Sequence, residues 1–235
     1  ISTDSYTAYL KISEGCDNFC SFCSIPYIRG RFKSEKMDKL VNDAKNLVKQ
    51  GVKEIIVIGQ DPTSYGKDLQ DGSNLTKLLK ELDKIEGLEF IRCLYLYPDG
   101  ITDELLSLYK NSSKFPHYFD IPIQHASNKI LKAMNRKHSK EDVINIYNKI
   151  KAIMPDAILR TTLIVGFPNE TVDDFLELKE FISTYKFNHL GVFTYSREEG
   201  TVAYKMKNQI KKDIKEKRKE EIMSLQADIS YQLNK

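Results

Sequence analysis

Short apolar runs alternate with helical stripes along almost the whole chain, and that alternation restricts the fold more than any other feature. Apolar runs at 8–13, 54–59, 90–97, 118–124, 157–166 and 189–196 read as six strands. The run EIIVIG at 54–59 is nearly all apolar, as a strand covered on both faces should be. Between these runs lie helical patterns. Residues 36–50 place Leu40, Val41, Ala44, Leu47 and Val48 on one stripe, and Gly51 stops that helix. Further helices are expected at 75–85, from a cap at Thr102 through Lys110, at 139–153, at 172–185 and along a charged tail from 209 to 233. Strands alternating with helices predict an α/β fold with a parallel sheet and right-handed crossovers. An open doubly wound sheet and a partly closed (β/α)6 barrel both fit the count. In either, the loops after the strands' C-terminal ends carry the chemistry.

A chain of 235 residues suits one large domain or two small ones. Its net charge of +3 is too small to argue for nucleic-acid binding by itself. No stretch approaches the ~18 consecutive apolar residues of a membrane span, so no membrane association is expected. The first ten residues, ISTDSYTAYL, lack the basic start and apolar core of a secretory signal. The chain begins with Ile rather than Met, as a piece of a longer protein would.

Three of the four cysteines fall within eight residues, in GCDNFCSFC immediately after the first strand. Cys16, Cys20 and Cys23 follow the spacing C-x3-C-x2-C. Three thiols cannot all pair, so the cluster points to metal or redox chemistry in a reducing cytoplasm rather than to a disulfide scaffold. Three thiolates can hold a four-iron–four-sulfur cluster and leave one iron open to a ligand. A structural zinc site normally has four ligands, and the nearest histidines, His117 and His125, are about a hundred residues away. A dithiol at Cys20 and Cys23 leaves Cys16 unexplained, and three inert buried thiols form a further alternative. Cys93 sits mid-strand and reads as core.

The cysteine spacing after a first strand, with Phe22 just before the last cysteine, resembles the radical S-adenosylmethionine (SAM) superfamily. Longer stretches resemble one family within it, the methylthiotransferases. They are GCDNFCSFCSIPYIRGRFKS (15–34), IGQDPTSYGKD (58–68), LYLYPDGITDELL (94–106), FDIPIQHASNKILKAMNR (119–136), RTTLIVGFPNET (160–171) and GVFTYSREEGTVAYKM (191–206). The wording LYLYPD and Gln124-His125-Ala126-Ser127 is closer to the branch that modifies an aspartate of ribosomal protein S-twelve than to the branch that modifies tRNA adenosine. Pro62 and Glu35 depart from the family's usual Thr and Arg.

The resemblance implies a partial barrel at residues 1–208, followed by a helix at 209–235 that leads to an absent substrate-binding domain. It implies a [4Fe-4S] cluster on Cys16, Cys20 and Cys23, whose open iron chelates SAM and releases a 5′-deoxyadenosyl radical on reduction. It further implies a second [4Fe-4S] cluster in a preceding domain as part of the sulfur chemistry, ribosomal protein S-twelve as substrate, and a flavodoxin or ferredoxin as electron donor. The alternative substrate is tRNA. The isolated domain is then expected to perform the full reaction poorly.

SAM contacts implied by the resemblance are Phe22, Gln60, Gln124, Arg160, Thr162, Gly166, Phe193 and Tyr195. Arg160 and Thr162 inside a barrel each need a polar partner, which SAM or a neighbouring acid supplies. Gly166 lets the backbone approach adenine closely. Phe193 and Tyr195 pack either near adenine or in the core.

Overall fold

Strands and helices fall where the apolar patterns put them, with their ends trimmed by residues that cannot continue the element. A computed structural model describes residues 5–235. The chain runs β1 (Thr7–Lys11), β2 (Ser13–Glu14), α1 (Ile25–Arg29), β3 (Lys33–Ser34), α2 (Met37–Lys49) and β4 (Glu54–Ile58). It continues with α3 (Leu75–Asp83), β5 (Phe90–Cys93), α4 (Asp103–Asn111), β6 (Tyr118–Asp120), α5 (Asn128–Ala133) and α6 (Lys140–Ile153). It closes with β7 (Ile158–Val165), α7 (Val172–Tyr185), β8 (His189–Thr194) and α8 (Lys212–Leu233).

Local chemistry sets the helix boundaries. Asn74 and Thr102 accept from the backbone N–H of Lys77 and Leu105 at the starts of α3 and α4. Ser139 with Asp142 and Thr171 with Asp174 form reciprocal capping boxes at α6 and α7. The end of α2 is closed by a left-handed Gly51, whose N–H bonds Val48 while the N–H of Val52 bonds Leu47.

The strands β1, β4 and β5 pair in parallel in that order, as do β6, β7 and β8. Residues 94–96 stitch the two sets together. The N–H of Leu94 bonds Val57 at 3.2 Å, and the N–H of Leu96 bonds Asp120 at 2.8 Å. Six parallel strands thus follow one another in chain order. A doubly wound sheet would reverse direction at a switch point; this order never does, and it makes the curved wall of a partial barrel. The short β2 and β3 pair antiparallel beside the end of β1.

Three expected strands end early for stated reasons. The run 90–97 leaves the ladder after Cys93, and Tyr95 turns with φ +63°. The run 118–124 stops at Asp120 because Pro122 has no N–H and Gln124 turns with φ +70°, leaving one bridge to Leu163. The run 8–13 ends at Lys11, and Ser13–Glu14 turns into the small hairpin.

Period-two alternation along β7 buries Leu159, Leu163 and Val165 in the main core, while Arg160 and Thr162 on the other face reach a cavity. That core runs through both sheets and their helices. α8 belongs to it through Ile222 and Ile229, so residues 209–235 pack on the barrel. A smaller cluster of Ile130, Met134, Phe167, Tyr195 and Ala203 has Phe22 packed against it. Among the described residues no helix is long and apolar enough to cross a membrane.

Candidate active site

The cysteine loop is closed at its base by β2 and β3. Gly15 turns there with φ +72°, and a β-carbon would stand 2.2 Å from the carbonyl oxygen of Arg31. Only glycine fits that crossing. The side chain of Asp17 accepts from Arg31 Nε at 2.7 Å and from the Phe32 N–H at 3.0 Å.

The loop's far side is bonded to three other segments. Asn18 donates to Asp61, just beyond β4, at 2.8 Å. The N–H of Ser21 bonds Met134, its hydroxyl bonds the carbonyl of Ala133 at 2.7 Å, and the Ala203 N–H returns to Ser21 at 2.8 Å. Asn135 donates to the carbonyls of Asn18 and Phe19. A segment with few apolar residues is therefore held by directional bonds.

The loop presents its thiols to a cavity of about 510 Å³ at the C-terminal ends of the strands. Nine of the eleven expected site residues line it: Cys16, Cys20, Cys23, Phe22, Gln60, Gln124, Arg160, Thr162 and Phe193. Cys16 and Cys20 are buried and Cys23 is half-buried; all are free thiols. Burial pushes the Cys16 and Cys23 thiols above their ordinary value. Thiolate ligation at these two positions must therefore displace protons.

Gly166 and Tyr195 do not line the cavity. The aliphatic stem of Lys215 occupies the space beside Gly166, where a β-carbon would stand 2.3 Å from Lys215 Cγ. Tyr195 lies 4% exposed in the smaller core cluster, edge-on to Phe167 with ring centroids 5.3 Å apart. Phe193, two residues earlier and on the same face by strand alternation, is 61% exposed; Tyr195 lies just past the end of β8 at Thr194 and is covered by Phe167 and Ala203 from other segments.

Arg160 already has a protein partner. Its guanidinium meets the buried Asp120 at 2.7 Å, and Asp120 also accepts from the N–H of Tyr95. The acid foreseen as an alternative to SAM is thus present, and Arg160 still borders the cavity.

The cavity has lining residues that sequence reasoning missed, chiefly Phe19, Gly59, Tyr95, Tyr97, Pro122 and Arg136. Phe19, Tyr95 and Gln124 all have positive φ, so three of these walls rest on left-handed backbone outside glycine. Tyr97 Oη lies 3.4 Å from Cys20 Sγ and accepts from Arg136 Nη1. Burial pushes the Tyr97 hydroxyl far above its ordinary value, so it keeps its proton.

Three cysteine thiols bordering one cavity are a donor set that an iron–sulfur cluster can use. Among the described residues no three His, Cys, Asp or Glu side chains converge as one metal ion would require. A zinc ion bonds sulfur at about 2.3 Å and draws its thiolates round one point. Thiolates that each hold a different iron of a cubane sit further apart, along one wall of a larger space.

The fold and site define a class, and the comparison with known families agrees: the radical SAM superfamily profile matches residues 10–182. The chain belongs to that superfamily. Within it, the chain is 52% identical over 234 residues to the ribosomal protein uS12 methylthiotransferase RimO of Clostridioides difficile (strain 630), covering 100% of this chain and 53% of the relative. It is 53% identical to the RimO of Acetivibrio thermocellus over 100% of this chain and 52% of that protein. The chain thus spans about half the length of the curated relatives it matches.

Solved structures share the fold. The radical SAM methyltransferase TsrM of Kitasatospora setae, solved with cobalamin and a [4Fe-4S] cluster, superposes with a TM-score of 0.65 at 14% identity over 80% of this chain and 36% of that one. Methylornithine synthase PylB gives 0.61 at 16% identity over 94% of this chain and 62% of that one.

Proposed function

We propose that this chain is the catalytic barrel of a methylthiotransferase that acts on an aspartate β-carbon of ribosomal protein uS12. The observation that carries the reading is one cavity bordered by Cys16, Cys20, Cys23, Gln60, Gln124 and Thr162. The identity to RimO proteins along the whole chain supports the branch. Cys16, Cys20 and Cys23 would hold a [4Fe-4S] cluster, with SAM in the adjoining space. When bound and reduced, that cluster supplies the electron that cleaves the sulfonium of SAM.

The chain's own residues then bind and orient. Gln60, Gln124 and Thr162 offer amide and hydroxyl groups to the polar parts of SAM. Phe22 and Phe193 supply apolar walls that exclude water. The pairing of Arg160 with Asp120 fixes a cation at the cavity edge without leaving either charge unpaired. A flavodoxin or ferredoxin would deliver the electron in the cytoplasm. Sulfur delivery and the grip on uS12 would fall to parts of the longer protein, with residues 209–235 leading toward the substrate-binding part.

Mass spectrometry of uS12 and tRNA from a strain lacking the gene tests the substrate. The reading expects the methylthio group to vanish from the uS12 aspartate and tRNA to be unchanged. Loss from tRNA adenosine alone would assign the chain to the tRNA branch instead.

A further inference from the structure

The first clue is a buried cation with no acid. Arg136 is 9% exposed, and among the described residues no carboxylate pairs with it. Every other arginine that is mostly buried here has one: Arg218 meets Glu170 at 2.6 Å. An uncompensated buried charge is strongly unfavourable. Arg136 should therefore have a counter-charge in the working protein.

The backbone aims this residue deliberately. α5 ends in a left-handed Asn135, φ +58°, whose N–H bonds Lys132, while the N–H of Arg136 returns to Leu131 at 2.9 Å. This closing turn fixes where the Arg136 side chain departs. Its guanidinium stacks over the Tyr97 ring at 4.0 Å. Nη2 donates to the carbonyl of Pro122 at 2.8 Å. Nη1 donates to the Tyr97 hydroxyl and lies 3.6 Å from Cys20 Sγ. Having accepted that N–H, the hydroxyl has its own proton to direct at Cys20 Sγ, 3.4 Å away. The sulfur of Cys20 thus receives a cation and a hydroxyl from one side, 116 and 77 residues away in sequence.

We propose that Arg136 is a positioning residue that acts through Cys20: it is the buried counter-charge of that thiolate and raises the reduction potential of the cluster the thiolate holds. The inference rests on the reading that Cys16, Cys20 and Cys23 bind the cluster. Adding one electron makes the cluster more negative, and a fixed cation stabilises the reduced form more than the oxidised form. Net charge and hydrogen bonds to the sulfurs are the levers that set such potentials. A purely structural arginine, bracing Pro122 against Tyr97, would leave the potential alone.

The test is a potentiometric titration of the anaerobically reconstituted full-length protein. The cluster is followed by the EPR signal that SAM perturbs. In wild type, a SAM-sensitive signal establishes the underlying cluster reading independently of Arg136. Arg136→Gln and Arg136→Met should make the reduction equilibrium at least tenfold less favourable, a shift of about 59 mV downward for a one-electron couple. Arg136→Lys keeps the charge and should lie within threefold of wild type, although lysine cannot reproduce the planar fork that bridges Tyr97 and Pro122. If the neutral variants lack the SAM-sensitive cluster signal while Arg136→Lys shows it and keeps its potential, the requirement for charge stands. An unchanged potential in a loaded neutral variant overturns the proposal. So does the loss of the SAM-sensitive cluster signal in all three variants, which would mark Arg136 as structural.

Discussion

Asn18 and Asp61 join the cysteine loop to the end of β4 through a 2.8 Å bond from Asn18 Nδ2 to Asp61 Oδ2. Asp61 is 3% exposed and also accepts from the hydroxyls of Thr63 and Ser64. One carboxylate therefore organises the loop between Cys16 and Cys20 together with the turn that follows Gln60. Asp61→Ala leaves the Asn18 amide without this partner, a loss of about 1–3 kcal/mol. The expected outcome is a lower iron content after reconstitution, read by iron assay and visible absorption. Wild-type loading would show that the bond does not hold the loop.

Gly15 makes a sharper case. With φ +72° and the Arg31 carbonyl 2.2 Å from any added β-carbon, Gly15→Ala combines strain with a backbone clash. The substitution should cost more than about 1 kcal/mol and reduce cluster loading severalfold. Gly30→Ala is the control for space: it shares positive φ, but nothing lies within 4 Å of its added β-carbon. Equal loading of both variants would contradict the crossing as the cause.

Much of this was legible in the sequence, for reasons that mark where legibility stops. The cysteine spacing is local, and the positions of Gln60 and Gln124 near strand ends and of Arg160 and Thr162 on one face of β7 follow from hydrophobic period, so all of them reached the cavity. Tyr195 went to the core because its neighbours Phe167 and Ala203 arrive from other segments, which period cannot foresee. Arg136 and Tyr97 were missed for the same reason: what singles them out is their meeting at Cys20. The short α5 escaped notice because six residues make too little helical period to detect. The strand end before Tyr95 was overrun because left-handed backbone at a non-glycine residue leaves no sequence signal, and in the run 118–124 the apolar pattern hid the break that Pro122 makes.

Arg218 fastens α8 to the loop after β7. It meets Glu170 Oε1 at 2.6 Å, and Glu170 Oε2 accepts from the N–H of Gly166 and Phe167. Removing one partner of a buried ion pair typically costs about 3–5 kcal/mol. Arg218→Ala should lower stability by about 3 kcal/mol at neutral pH, measured by urea unfolding. A change below about 1 kcal/mol, the range of exposed pairs, would mean the pair is not the fastening.

His138 gives the fold an acid-side weakness. Burial, helped by the nearby Arg136 cation, holds its imidazole down to about 4, against an ordinary 6.5. Its Nε2 faces the carbonyl of Ile123 at 3.3 Å. Above pH 6.5 the ring is neutral in both folded and unfolded chains, and its contribution to stability is fully present. Between 6.5 and 4 only the unfolded chain takes up the proton, so stability falls, by up to about 3 kcal/mol in total. His138→Gln should flatten that part of the stability profile between pH 6.5 and 4. An unaltered slope would show that other groups cause it.

The most direct measurement of the central claim is SAM cleavage by the anaerobically reconstituted full-length protein with dithionite, for wild type and for Cys20→Ala. The account predicts 5′-deoxyadenosine from wild type and none from Cys20→Ala, together with loss of the SAM-sensitive EPR signal in the variant. A fully iron-loaded wild-type protein that yields no 5′-deoxyadenosine, or a Cys20→Ala protein that keeps both the signal and the product, would contradict it.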